Sequence, residues 1–499
     1  MYFFESFYTT NLLYSEGTVE TLRRKTEIFD LENIKEMPKL KLPAKASLWY
    51  IASSAISRTI GAAGTPIFTR LLTPEEYGLF PLYNTWLAVA TVILTLELTG
   101  GVIYRGLQKF SHDRDKFLSA AFGLFLSVFL FVCVLYFAFS AIINKITGLS
   151  TFTTSFMIAQ IFASAVIGFY TGRARFEYKY KDVALLNIAS ALGAPMLSIL
   201  LILLTKFKSE ARIIGTSLTL LLCAIPILYI ILKRSGVLFD KEIWRFLLKF
   251  NLPLLPHYFA MSLILRVGEM TIGRVYGTEA LGKYSVALSV GMSLTMISGG
   301  LLSALSPWML RKIKSGEMDK IRDFLLTLTK ALSLICLLLL TIAPEAIKIL
   351  TPRAFHDALP AVYPLALCVI PSFIAGALTS GEMYYEKSGI TALPSIIAAA
   401  ISCALSLLFL PKIDYRFSGI FALLSYIALA AFGTLIFRRM SGNIPIHLKK
   451  SITTLALTIA YALLLFLFRD VLASRILLSL PLIPAILILA KQIYSEIRE

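Results

Sequence analysis

The stretch Arg70-Leu71-Leu72-Thr73-Pro74-Glu75-Glu76-Tyr77-Gly78-Leu79-Phe80 has a second copy in Arg274-Val275-Tyr276-Gly277-Thr278-Glu279-Ala280-Leu281-Gly282-Lys283-Tyr284. An arginine, a glutamate, a glycine and an aromatic recur at one offset, 274 − 70 = 204 residues. The same offset aligns Asp113, Asp115 and Lys116 with Glu317, Asp319 and Lys320. Unrelated apolar segments would slip against each other, so an offset held across two connections and the segment between them argues for internal duplication.

The rest of the chain is the wrong material for a water-soluble domain. Of its 499 residues 57% are hydrophobic and only 16% charged, with a mean hydropathy of +0.76, whereas soluble domains carry about a quarter charged residues. The composition predicts an all-α polytopic membrane protein. A formal charge of +18 would point to nucleic acid in a soluble chain, but here Lys and Arg sit in short clusters between apolar runs, where they set orientation. Nucleic acid is therefore excluded as a partner. Cys133, Cys223, Cys336, Cys368 and Cys403 stand singly within apolar segments, with no spacing for a disulfide framework or a metal. Residues 1–45 mix aromatics with charged groups such as Arg23, Arg24, Lys25, Glu32 and Lys35 and lack the apolar core of a signal peptide. They read as a cytoplasmic lead segment.

A crossing of about 30 Å of hydrocarbon takes roughly 20 apolar residues. Runs of that kind fall near 46–71, 79–104, 117–143, 151–171, 182–205, 211–232, 246–273, 281–309, 323–349, 359–383, 390–411, 417–437, 450–468 and 472–491. About fourteen spans are predicted: an N-lobe of six over 46–232, a C-lobe of six over 246–437, and a final pair over 450–491. Basic clusters at Arg105, Lys109, Arg114 and Lys116, at Arg173, Arg175, Lys179 and Lys181, and at Arg311, Lys312, Lys314 and Lys320 lie in alternate connections. By the positive-inside rule those connections, and both termini, face the cytoplasm of a multi-pass protein of the cytoplasmic membrane. Six spans separate the repeat copies, so both lobes enter the membrane in the same direction, related by an axis along its normal. Duplicated lobes of this kind suggest a transporter. Pro253 and Pro256, near the start of the seventh span, mark a kink and a candidate hinge.

Ionisable groups at membrane depth are costly, which makes each a candidate for function. Arg58 precedes Arg70 by twelve residues in the first span, ~18 Å from the outer end at the helical rise. Arg266 precedes Arg274 by eight in the seventh, ~12 Å from the equivalent end. A guanidinium stays charged at low dielectric and can fork onto phosphate oxygens, so both are candidates for binding an anionic head group. Pairing inside the bundle is the plainer account. Glu269 lies three residues after Arg266, where an intrahelical ion pair explains both. As carboxylates that can be neutralised, Glu269 and Glu97 are candidates for coupling to a proton or sodium ion. His257 beside the proline pair could titrate near neutrality, or serve as a hydrogen-bonded packing residue. Glu382, Glu386 and Lys387 read as interface anchors of the tenth span. Arg70, Gly78, Arg274 and Gly282 mark the outer interface in each lobe.

No zinc spacing, Walker loop, glycine-rich nucleotide turn or nucleophile elbow occurs. The sequence therefore calls for no metal or other cofactor, and energy would come from an ion gradient, the membrane potential or the substrate's own gradient. The segment Ser57-Arg58-Thr59-Ile60-Gly61 through Ile67-Phe68-Thr69 to Phe80 resembles the first-span pattern of the lipid-linked oligosaccharide flippases, the O-antigen and polysaccharide exporters. These belong to the superfamily that also holds the multidrug and toxin extruders and the lipid II flippase. Lys249-Phe250-Asn251-Leu252-Pro253-Leu254-Leu255-Pro256, continuing to Tyr284, resembles the second signature of that family. The resemblance implies two six-helix lobes around a cation-lined cavity that alternates between the faces of the membrane. The implied substrate is a polyprenyl-pyrophosphate oligosaccharide whose tail stays among the membrane lipids, exchanged with glycosyltransferases or a glycan polymerase. Arg58 and Arg266 match the family's cavity cations in location and type. Where the family often has Asp near the end of the seventh span, this chain has Gly268-Glu269, and fourteen spans match the lipid II flippase layout.

Three other readings remain. A cation-coupled multidrug antiporter would favour acids in its cavity, and a lipid II flippase would share the span count. A membrane-embedded glycan polymerase or glycosyltransferase would need a sizeable outer loop or a carboxylate beside one, and the short connections argue against it. The expectation is a non-enzymatic flippase.

Overall fold

The computed structural model describes residues 42–234, 236–382 and 388–498, so most of the lead segment, together with Glu386 and Lys387, lies outside the described residues. The chain is an all-α membrane protein. The first lobe comprises α1 Leu42–Leu71, α2 Pro74–Thr95, α3 Gly101–Lys109, α4 Arg114–Ala138, α5 Ser140–Thr147, α6 Thr151–Phe176, α7 Tyr180–Leu204 and α8 Lys208–Arg234. A short α9, Lys241–Asn251, leads to the second: α10 Leu255–Val275, α11 Gly277–Gly291, α12 Thr295–Lys314, α13 Met318–Leu350, α14 Leu359–Leu367, α15 Val369–Glu382, α16 Ser388–Thr391, α17 Leu393–Leu408 and α18 Ser418–Ser441. Last come α19 Leu448–Leu467, α20 Leu472–Ser479 and α21 Leu482–Arg498.

Twelve helical segments among the described residues are long and apolar enough to cross a membrane. The first and seventh expected spans, α1 and α10, are not among the twelve. These helices carry Arg58 and the Arg266 and Glu269 pair. Thus the opening helix of each half is its more polar one.

Several expected spans are broken, each where local chemistry favours it. The second span, expected over 79–104, begins earlier and stops sooner. Thr73 caps α2 by accepting from the Glu76 amide while Glu76 reaches back to the Thr73 amide, and Pro74 opens the helix, a complete capping box. Thr73-Pro74-Glu75-Glu76, which lies between the first two expected spans, is therefore a helix start. At the far end Leu96 and Glu97 have φ of 48° and 52°, a left-handed conformation costly for residues with a Cβ. Gly100 and Gly101 follow before α3 resumes. The eighth span kinks through a 3-10 turn at Met292–Leu294, and the last breaks between α20 and α21 ahead of Leu482.

Around the proline pair the seventh span divides. The 3-10 turn Leu252–Leu254 separates α9 from α10, and α9, whose residues 246–251 were expected in the C-lobe, is fastened to the N-lobe. Trp244 donates to the Ala120 carbonyl at 2.9 Å, Lys116 pairs with Asp240 at 2.7 Å, and Phe246 packs edge-on against Phe110. Asp240 also caps α9 through the Glu242 and Ile243 amides. Its bonds to Lys116 and those amides hold the carboxyl below the usual carboxylate range.

Candidate functional site

The repeated residues meet in space. α2 packs against α11, and Gly78 faces Gly282 so closely that a Cβ on Gly78 would lie 1.8 Å from the Thr278 carbonyl oxygen, and one on Gly282 2.1 Å from that of Pro74. No side chain fits at either position, which is why both copies hold glycine. The residues around them seal the same end of the lobes. Tyr77 sets its edge against Phe355 at 5.5 Å between ring centroids, and Phe68, Leu72, Val286 and Phe355 are buried in one apolar cluster.

Arg70 spans this seam. Its guanidinium donates to the carbonyls of Pro66 at 2.8 Å, Ile349 at 2.8 Å and Leu350 at 3.2 Å, closing off the last turn of α13. A helix C-terminus presents unpaired carbonyls and a partial negative charge, so a cation bridging to it is well placed. Arg274 does not repeat the arrangement: it is exposed, with no hydrogen bond or ion pair among the described residues. The neighbouring Lys283 pairs with Glu279 at 2.9 Å and Asp357 at 3.1 Å.

Away from the seam, Arg58 lies on α1 as an exposed guanidinium without an ion-pair partner among the described residues. Arg266 is one-third exposed and held by Glu269 at 2.7 Å, while the Glu269 carboxylate is almost wholly buried. The pair sits beside close-packed backbone, since a Cβ on Gly268 would lie 2.4 Å from the Ser418 hydroxyl. The two arginines thus differ: one charge is free and the other is compensated. Glu97 is not on a helix as expected but in the turn between α2 and α3, where Thr95 Oγ1 accepts from its amide at 3.1 Å. Asn251, the last residue of α9, donates to the freed Leu96 carbonyl at 2.8 Å, so the break in the second span is tied to the junction before α10. His257 is buried, with Nδ1 2.8 Å from the Ser395 hydroxyl, the geometry of a packing residue. Glu382 departs from its reading as an interface anchor. It is only 1% exposed, because α15 lies in the middle of the second lobe.

Three features were not anticipated from sequence. Arg475 on α20 is fully buried and forks onto Glu345 of α13, with Nη1 to Oε2 at 2.6 Å. The final pair of spans is therefore tied to α13 by an ion pair whose arginine is buried and whose glutamate is 29% exposed. Arg212 stacks on Phe80 at 3.9 Å and Phe68 at 4.2 Å, within the distance range of cation–π contacts. Its counterpart at the 204 offset, Arg416, instead pairs with Asp414. In the first lobe the buried Tyr83 and Ser217 hydroxyls donate to Gln160 Oε1 at 2.8 and 3.0 Å, joining α2, α6 and α8. Nothing in the amphipathic pattern marks these residues; only the cost of a buried Arg, Gln or Glu could have singled them out.

The arrangement matches known membrane proteins. The chain superposes on a lipid II flippase MurJ in an inward closed conformation with a TM-score of 0.62, at 16% identity, covering 91% of this chain and 100% of that one. An inward-facing multidrug resistance MATE family transporter of the MOP superfamily matches with a TM-score of 0.60 at 13% identity, covering 79% of this chain and 98% of that one. A MOP superfamily transporter from Pyrococcus furiosus matches at 0.56 with 14% identity, over 82% of this chain and 99% of that one. At these identities the likeness is one of fold. No curated protein matches the sequence. The profile of the family described as "Polysaccharide biosynthesis protein" matches residues 44–312, more than half of the chain, from the start of α1 to the end of α12. The chain belongs to that polysaccharide biosynthesis family, built on the fold shared by the MOP superfamily transporters and flippases.

Proposed function

We propose that this chain is a flippase, moving a polyprenyl-pyrophosphate-linked oligosaccharide from the cytoplasmic to the outer leaflet by alternating access, and catalysing no reaction. The observation that carries the reading is the seam at Gly78 and Gly282. Two duplicated lobes touch there, backbone to backbone, at one end, a joint held by van der Waals contact and by the hydrogen bonds of Arg70 to the Ile349 and Leu350 carbonyls. Membership of a polysaccharide biosynthesis family supports a glycan as cargo. Arg58, exposed on α1 with no ion-pair partner among the described residues, is suited to a pyrophosphate, and Arg266 becomes available once its bond to Glu269 is exchanged for the substrate.

The basic connections between α3 and α4, and between α12 and α13, would face the cytoplasm, with the glycine seam on the outer side. In that orientation the state described here is sealed outward. A better superposition on an inward-facing MATE transporter, at 0.60, than on an outward-facing one, at 0.51, agrees with this. Lipid II as cargo is the second reading, favoured by the match over 91% of the chain to its flippase.

The test is export of surface glycan by cells carrying Arg58→Ala, Arg266→Ala or both. We expect normal membrane insertion with at least tenfold less export in the double variant. Undiminished export by all three would remove the arginines from the head-group role.

A further inference from the structure

The described residues include two buried carboxylates, and they differ in one respect. Glu269 is neutralised by Arg266. Glu382 has no ion-pair partner among the described residues, and its Oε1 is sealed from solvent and lacks any hydrogen-bond partner among them. The packing at the adjoining residue is apolar and tight. A Cβ on the preceding Gly381 would lie 2.6 Å from Phe437 of α18, and 3.2 and 3.3 Å from Met309 and Ile313 of α12, side chains that are themselves buried.

The charged groups on the surrounding helices are committed elsewhere or point away. On α12, Lys312 binds Glu317 at 2.9 Å, and Arg311 and Lys314 are exposed. On α13, Lys320 binds Glu317, Arg322 binds Asp319 and the Ile444 carbonyl, Asp323 meets His447, and Lys330 is exposed. On α18, Arg438 and Arg439 are exposed, and α14 carries no charged residue. An ionised carboxylate left unpaired in such surroundings is disfavoured against its neutral acid.

We propose that Glu382 is a proton-binding site whose occupancy is tied to the position of α12, a role that rests on the alternating-access reading. The link is a continuous structural path. Gly282 at the seam lies on α11, α11 runs through the Met292–Leu294 turn into α12, and α12 packs against α15, the helix that carries Glu382, with Met309 and Ile313 against the adjoining Gly381. When α11 leaves α2, α12 moves with it and water reaches the carboxyl, which gives its proton to that water. Reprotonation from the aqueous phase lets α12 close over a neutral acid again. One proton is taken up and one released per cycle, with no other reactant.

The full-length protein in lipid nanodiscs tests this. Infrared difference spectra across a pH titration report protonated carboxyls, and paired spin labels across the α2 and α11 seam report lobe opening. Wild type should show a carboxyl band that disappears as pH rises, in step with opening of the seam. Glu382→Gln should lose that band and the pH dependence of the label distance together, while Glu382→Asp should keep both with a displaced midpoint. A band unchanged in Glu382→Gln, or a label distance that still follows pH as in wild type, overturns the proposal. Should the glutamine variant fail to fold, the aspartate variant decides, since an unmoved band and midpoint would equally overturn it. None of these readouts uses a glycan. Failure of the cargo assignment would leave them intact, and their failure would leave the cargo assignment standing.

Discussion

Gly78 and Gly282, separated by 204 residues of sequence, occupy each other's side-chain space: a Cβ on either would come within 3.0 to 3.1 Å of the other's backbone nitrogen. The relationship is reciprocal, as expected of two copies of one surface meeting about a pseudo-twofold axis. Interfaces made by small residues let helix backbones approach closely inside a membrane. Here that approach joins the two lobes.

Gly78→Leu should therefore prevent the seam from closing. Overpacking of this kind costs about 1–3 kcal/mol, enough to shift a balanced equilibrium toward the parted state. The check is the rate at which a thiol reagent reaches a cysteine placed at the buried Val286, in a background without the native cysteines. Faster labelling by tenfold or more in Gly78→Leu is expected, and an unchanged rate would detach the glycine pair from gating.

Arg70 and Arg274 are equivalent in sequence and unequal in structure, and their alanine variants should separate. Arg70→Ala removes solvent-exposed charge-assisted bonds to the end of α13 and should destabilise the sealed state by about 0.5–1.5 kcal/mol. Arg274→Ala removes an exposed group and should stay within about 0.5 kcal/mol. Thermal unfolding of the two purified variants against wild type measures the difference.

How much of this was legible in the sequence follows from what each feature depends on. The apolar runs gave the all-α membrane fold because burial of backbone in hydrocarbon admits little else. The duplication was legible because Arg, Glu and Gly recur at one offset. The ion pair of Arg266 with Glu269 followed from helical spacing alone. The break at Leu96 and Glu97 did not, since the sequence there is apolar enough to continue a helix, and the conformation is fixed by Asn251, 155 residues away. The environment of Glu382 was likewise hidden. Its place near the end of a span suggested the interface, whereas α15, which carries it, is packed against α12 and α18.

Arg475→Ala should be the most damaging change outside the lobes' own cores. The guanidinium is buried, whereas Glu345 is 29% exposed and keeps Lys348 at 3.9 Å, so the loss of the charge-assisted bonds should cost about 1–3 kcal/mol. Combining Arg475→Met with Glu345→Leu should recover most of that loss, because an apolar pair of similar volume needs no compensation. Thermal unfolding of the single and double variants gives the comparison, and a double variant no better than Arg475→Ala would mean that the charge itself is required.

Reconstitution into liposomes tests the central claim most directly. Purified protein in vesicles containing a defined polyprenyl-pyrophosphate oligosaccharide should make the glycan accessible at the opposite leaflet, above the rate in protein-free vesicles, and the Arg58→Ala/Arg266→Ala variant should fall to that background. Glycan accessibility in wild-type vesicles no faster than in protein-free ones, with proton and sodium gradients of either direction imposed, would contradict the account.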